Sequence, residues 1–353
     1  MGTFSDIAVL LLIAVIKVAV VLFVLLTAIA YVTWLERKVV AHIQARWGPY
    51  LVGPHGLLQP LADGIKFILK EDITPLEADK VIYWLAPFLG FVLAFLSISV
   101  IPFGTGFTIH GHPIDFQIAD INVGLLFVFA VTSLGVYSVA LAGWSSNSKY
   151  SLLGGLRSSA QMISYEVSLG LAVIGSLMMA GTLSLRGIVE AQSGPWIIHG
   201  VNLHVPHWYV FAQPVGFFVY FVSAIAETNR LPFDLPEGET ELVAGFHTEY
   251  SSMKFAMFFM SEYANMVTVS CLATILFFGG WHGPVFGPAI VRVLLPVFWF
   301  ALKVFCFMFF YIWIRGTLPR FRYDQLMALG WKFLMPLGLL NILVTSFLVA
   351  WLG

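Results

Sequence analysis

Four carboxylic acids stand where water should be scarce. Glu36 ends the first long apolar run, Glu166 lies in ISYEVSLGL, Glu227 ends the fifth run and Glu262 lies in MSEYANM near the start of the sixth. A charged side chain inside a membrane span costs at least about 2.5–3.5 kcal/mol on insertion scales, so each has either a partner or a task. Burial and a neighbouring carboxylate both raise a carboxyl pKa. A cluster of such acids, wetted by a few waters, exchanges protons near neutral pH, which is the chemistry of a proton relay. The competing explanation is paired structural charge, with Glu166 or Glu262 neutralising Lys303, Lys17 or a nearby Arg. It would serve for any one acid; for four at similar depth the relay reading is preferred.

Two polar connections flank these acids. The segment 227–254, ETNRLPFDLPEGETELVAGFHTEYSSMK, holds Glu227, Asp234, Glu237, Glu239, Glu241 and Glu249. Pro232, Pro236 and Gly238 forbid a continuous helix through its first half. A solvated acidic loop is the bland reading. Leu231, Phe233, Leu235, Leu242, Val243 and Phe246 argue instead for a folded cavity wall. In the segment 36–80, Leu57, Leu58, Leu61, Ala62, Ile65, Ile68 and Leu69 recur at helical spacing, with Gln59, Asp63, Lys66 and Lys70 on the other side. That pattern predicts an amphipathic helix at the interface, started near Pro54 and kinked by Pro60; a helix that merely covers span ends is the alternative. In WLERKVVAHIQARWGP, Arg37, Lys38 and Arg46 stand close to Trp47. A cation beside an aromatic ring can steady a polar head such as a quinone, although lone Arg residues more often snorkel to headgroups.

The elements that must position these groups follow from composition. Of 353 residues, 10% are charged and 59% apolar, with 32 Phe and a mean hydropathy of +0.89. A soluble globule could not hide that surface, and disorder is excluded for the same reason. A net charge of −1 without a basic run excludes nucleic-acid binding. The reading is an all-α integral membrane protein, one transmembrane domain over 1–353, with about eight transmembrane helices plus the cytoplasmic interfacial amphipathic helix. Apolar runs long enough to cross about 30 Å of hydrocarbon are Ile7–Leu35, Val81–Pro102, Ile121–Trp144, Ala160–Gly181, Trp208–Ala226, Phe255–Trp281, Val293–Ile314 and Phe333–Leu352. The first begins without a basic head and is too long for a cleavable signal. Fourteen of the eighteen Lys and Arg residues fall in the connections after the first, third, fifth and seventh runs. The positive-inside rule places those connections in the cytoplasm, and with them the four acids and both polar segments.

Cys271 and Cys306 lie far apart in apolar segments, so disulfides, zinc ribbons and iron–sulfur ligation are not expected. The nine histidines, among them His110, His112, His199, His204 and His207 in outer loops, show no metal spacing. There is no Walker loop, no G-x-G-x-x-G after a strand and no haem pair, so electrons are expected to travel elsewhere.

The segments WLERKVVAHIQARWGP, GLLQPLADGIKFILKED, SKYSLLGGLRSSAQMISYE and AETNRLPFDLPEGETELVAGFHTEYSSMKF resemble the membrane subunit at the heel of proton-pumping NADH:quinone oxidoreductase (respiratory complex I), called H in bacteria and of the ND-one type in mitochondria. The likeness runs from the first span to the last. The family often has Ser in place of Thr240 and Asn in place of His247. The resemblance implies a protein forming much of the quinone chamber and the acidic proton path. It implies chamber-wall roles for Arg37, Arg46, Trp47, Asp63, Lys66, Arg230, Phe233, Asp234, Val243 and Phe246. It implies proton-path roles for Glu36, Asp63, Glu166, Glu227, Glu237, Glu239, Glu241 and Glu262. Quinone would be the substrate, while FMN, NADH and the iron–sulfur clusters would belong to partner subunits. Those partners would be the quinone-site hydrophilic subunits, small membrane subunits and antiporter-like subunits, in a bacterial inner (plasma) membrane.

A related heel protein serves membrane-bound hydrogenases and formate hydrogenlyases; the complete ETNRLPFDLPEGE block favours the quinone enzyme. An autonomous ion transporter would also suit intramembrane acids, but no inverted repeat is visible. A passive anchor would tolerate neutral replacement of the buried acids.

Overall fold

The computed structural model of the chain describes residues 4–109, 112–198, 201–234 and 244–352. Glu237, Glu239, Glu241 and Val243, together with His110 and His199, fall outside them.

Helix α1 runs from Phe4 to Ile43. Its 40 residues span about 60 Å, twice the hydrocarbon thickness, because ERKVVAH contains no helix breaker and continues the run past Leu35. Glu36 and Arg37 are therefore helical and share a rigid rod with the membrane span. A 3₁₀ turn at Pro54–Gly56 precedes α2, Gln59–Leu69. Pro60 does not kink α2, contrary to the expectation. It sits in the first turn, where no backbone N–H is required and its fixed φ suits the helix. No residue of α2 is buried, and Leu61, Ile65, Ile68 and Leu69 are exposed.

The bundle continues with α3 (Lys80–Ser97), α4 (Gly124–Ser145), α5 (Lys149–Ala180) and the short α6 (Leu185–Ala191). The fifth apolar run is not one helix. A single turn, α7 (Tyr209–Ala212), stops at Gln213, and α8 runs Pro214–Glu227. Pro214 supplies no N–H to carry the ladder across, and the Gln213 side chain bonds Asn341 and Thr345 of the last span at the break. Then come α9 (Ser252–Phe277), α10 (Ala289–Thr317), α11 (Tyr323–Ala328), a π turn (Leu329–Leu334) and α12 (Met335–Leu352). Among the described residues seven helices are long and apolar enough to cross a membrane, with the 14-residue α8 as a shorter eighth. Two antiparallel hairpins, β1 (Phe107–Ile109) with β2 (His112–Ile114) and β3 (Pro195–Ile198) with β4 (Val201–Pro206), were not expected. They are short loop ornaments on a helical bundle.

Helix α9 is the axis. Its apolar window is 67% buried against 11% for α1, and it packs on α1, α2, α3, α5, α6, α7, α8 and α10. Any acid on α9 is thereby brought near most of the other spans. The described part of the fifth connection folds back into the bundle: Arg230, Phe233, Asp234, Phe246 and His247 are buried. Gly245 comes so close to α5 that a Cβ on Gly154 would stand 2.7 Å from its Cα. Phe246 and His247 line a cavity, while Arg230, Phe233 and Asp234 are packed inside the bundle, so the described part of this connection is not a solvated loop.

Candidate functional site

A buried charge cluster joins four elements at the end of the bundle where the basic connections lie. Glu36 of α1 is 5% exposed. Arg230, just after α8, donates from Nη1 to its two carboxylate oxygens at 3.2 and 3.4 Å. The Tyr263 hydroxyl of α9 donates to Oε2 at 2.7 Å, and Arg315 of α10 pairs with Oε1. Arg230 reaches the other way as well, with Nε 2.5 Å from Glu262 Oε1. Its guanidinium lies over the Tyr263 ring, 4.2 Å from the centroid. Two carboxylates and two guanidiniums balance, which is how ionised groups survive so much burial.

Two cavities meet this cluster. The larger, about 520 Å³, is lined by Thr33, Glu36, Arg37, Val40, Ala41, Arg46, Trp47, Gly48, Pro49, Phe259, Tyr263 and Arg315. Its volume and its mixture of apolar wall with convergent cations suit a lipid-soluble molecule with a polar head. The smaller, about 60 Å³, is lined by Glu227, Glu262, His247, Asn265, Ser261, Thr132 and Ser138 among others. That volume accommodates water and little else. Glu36 borders the first cavity, Glu262 the second, and one arginine holds both.

The other acids extend from the smaller cavity. Glu227 lines it, with Oε2 buried and without a hydrogen-bond partner among the described residues. Glu166 of α5 accepts from the Ser133 hydroxyl of α4 and lies within electrostatic range of Glu227. Of the expected pairings, Glu262 with a nearby Arg is present, in Arg230, whereas pairing of Glu166 or Glu262 with Lys17 or Lys303 is absent from the described contacts. Lys17 donates instead to the Gln117 carbonyl at 3.4 Å. Lys303 caps the far end of the bundle, donating to the carbonyls of Phe278, Gly280 and His282.

The other residues singled out are dispersed. Arg37 lines the larger cavity and pairs with Asp63 of α2 at 2.7 Å, fastening α2 to α1. Gln59 holds the second Asp63 oxygen at 2.8 Å. Arg46 and Trp47 lie on the rim of that cavity, Trp47 being 84% exposed. Lys66 is exposed and borders neither cavity. Phe233 packs between Tyr165 and Phe321, and Asp234 pairs with Arg320 at 3.5 Å. Both belong to the packing behind the cluster and line neither cavity. Phe246 lines the smaller cavity, not the larger. Sequence reasoning missed Arg315, Tyr263 and Phe259. Arg315 had a usable signal, since it ends a span on the same side as the acids. Tyr263 and Phe259 had none beyond their nearness to Glu262.

The two polar connections are clasped to each other by Lys254. Its amine is buried, 3.1 Å from Asp72, 3.0 Å from the Thr74 hydroxyl and 3.9 Å from the Trp84 ring centroid. The neighbouring Ser252 hydroxyl lies 2.9 and 3.0 Å from the Phe67 and Lys70 carbonyls at the end of α2. Asp72 is partly exposed, so water screens the pair. Lys254→Met is expected to cost about 1–2 kcal/mol. A lower midpoint of thermal unfolding in detergent, with faster proteolysis between α2 and α3, checks this. An unchanged midpoint would show that Lys254 holds nothing.

A family model described as NADH dehydrogenase matches residues 16–346. The chain is 62% identical over 361 residues to the second H-type chain of NADH-quinone oxidoreductase from Koribacter versatilis, covering 98% of this chain and 99% of that protein. It is 52% identical over 392 residues to the first H-type chain of the same enzyme from Solibacter usitatus, covering 96% and 97%. It is 53% identical over 347 residues to the second H-type chain from Geobacter metallireducens, covering 95% of each.

Proposed function

Given that the chain belongs to the NADH dehydrogenase family and is a membrane subunit of NADH-quinone oxidoreductase, we propose that it walls the quinone chamber and begins the acidic path that couples quinone reduction to proton translocation. The observation that carries this is Arg230, which binds Glu36 on the wall of the larger cavity and Glu262 on the wall of the smaller. A charge arising in the larger cavity acts on Glu36, Arg37, Arg46 and Arg315 at short range. One unit of charge about 4 Å away is worth on the order of 4 kcal/mol at protein-like screening. That is enough to redistribute the pairing of a shared guanidinium and so alter how tightly Glu262 holds a proton.

The quinone ring would lie against Phe259 and Trp47, with its carbonyl oxygens toward the arginines. The chain's own groups bind and orient; the electrons come from iron–sulfur clusters, FMN and NADH in the hydrophilic partner subunits. The exposed apolar side of α2 faces those partners or the lipid interface. Protons leave toward the small and antiporter-like membrane subunits through Glu262, Glu227 and Glu166. The cytoplasmic face of a bacterial inner membrane is the side that the basic connections imply.

Filling the larger cavity tests the chamber. Val40→Trp, measured in the assembled enzyme, is expected to raise the quinone KM or lower turnover at least about tenfold, roughly 1.4 kcal/mol of lost stabilisation. NADH oxidation by an artificial acceptor, which bypasses the membrane, should be unaffected. Normal quinone kinetics with a filled cavity would place the chamber elsewhere.

A further inference from the structure

His247 has no role in the reading above, yet it borders the same water-sized cavity as Glu262 and Glu227. It comes from the described turn Gly245–His247 of the fifth connection and is 5% exposed. Its surroundings are aromatic. The imidazole lies 3.8 Å from the Phe246 ring, 5.4 Å from Phe258, 5.6 Å from Phe255 and 5.9 Å from Phe259, centroid to centroid. Burial holds its pKa down, at about 3, so the ring is neutral at any physiological pH. A neutral imidazole has one nitrogen that donates and one that accepts. Beside the Ser, Thr and Asn side chains that also line the smaller cavity, it is a two-way hydrogen-bonding group set among phenyl rings.

We propose that His247 is a further residue of the proton path, a hydrogen-bonding link that carries the wire across the aromatic patch of the cavity wall between Glu262 and Glu227. The proposal rests on the proton-path reading of those acids. In the transfer, Glu262, having taken up a proton when its pairing with Arg230 loosens, loses that O–H proton to the first member of the wire. Each successive member accepts one proton and releases another, and the Glu227 carboxylate gains the last. The ring ends with the number of protons it began with, so no buried imidazolium has to persist. Besides His247, the titratable and charged groups facing this cavity among the described residues are Glu227 and Glu262, with Arg230 behind Glu262.

The alternative is that His247 only fills space among the phenyl rings, and the two roles predict opposite rankings. His247→Phe keeps the aromatic packing and removes the hydrogen bonds. His247→Asn keeps a donor and an acceptor and loses the ring. The assembled enzyme carrying each variant is reconstituted in liposomes, and quinone reduction and proton uptake are measured per assembled complex, with His247→Gln as a second polar variant. His247→Phe is expected to lower coupled turnover at least about tenfold, as the loss of a proton-transfer group does, while Asn or Gln restores most of it. A Phe variant that outperforms both polar ones, or equal behaviour of all three, overturns the proposal. Glu262→Gln run alongside separates the layers. If it too pumps normally, the proton-path reading fails; if it stops while His247→Phe does not, only the role of His247 fails.

Discussion

Replacing Arg230 by Met is expected to abolish most quinone reduction by the assembled enzyme, with a fall of at least about a hundredfold. The cluster of Glu36, Glu262, Arg230 and Arg315 is neutral as it stands. Without Arg230 one carboxylate is left buried and uncompensated, and breaking a buried pair in this way costs about 3–5 kcal/mol. The site can recover part of that only by taking up a proton, which removes the charge on which the proposed coupling depends. Arg230→Lys is expected to be a partial substitute. It keeps the charge, but a single ammonium cannot span Glu36 and Glu262 with two arms or lie flat on the Tyr263 ring. Quinone reduction, proton translocation and artificial-acceptor NADH oxidation, all per assembled complex, form the check. A Met variant with more than half of the normal quinone rate and normal coupling would remove Arg230 from the mechanism.

Glu227→Gln is expected to slow coupled turnover by at least about tenfold while leaving assembly intact. The amide is nearly the same size, and Oε2 has no hydrogen bond among the described residues to lose, so the structural cost is small. What disappears is an exchangeable carboxyl proton, and general acid–base groups are worth about 10²–10⁴-fold where they act. The tenfold floor allows for a wire with a parallel branch through Glu166, which accepts from Ser133 and lies within electrostatic range of Glu227. Liposomes with the reconstituted enzyme give both the rate and the protons moved per electron pair. Unchanged rate and stoichiometry in Glu227→Gln and in Glu166→Gln alike would leave the smaller cavity without a transport role.

The acids were readable because the membrane makes them conspicuous: a carboxyl inside an apolar run is expensive wherever its partner is. Their partners were not readable. Arg230 was singled out as a chamber-wall residue, but nothing in its segment indicates that it joins Glu36 to Glu262. Those groups lie 194 and 32 positions away along the chain and on different helices. Tyr263 escaped for the same reason, while the position of Arg315 showed its side of the membrane but not its partner. Phe233, Asp234 and Lys66 share segments with true cavity residues, and proximity along the chain suggested a common wall. The fold turns Phe233 and Asp234 into the packing and leaves Lys66 outside both cavities. The break at Gln213 was hidden because Pro214 lies inside one long apolar run, Trp208–Ala226.

What the amino-acid order determined alone was membrane character, the number of apolar runs, the common end of the basic connections, and which carboxyls pay for burial. Each depends on local composition or on the period of one helix. The pairing of charges across spans and the two separate cavities were decided by how helices cross around α9. Those contacts are set by packing between segments remote in the chain, where hydrophobic periodicity says which side is apolar but not which neighbour it meets.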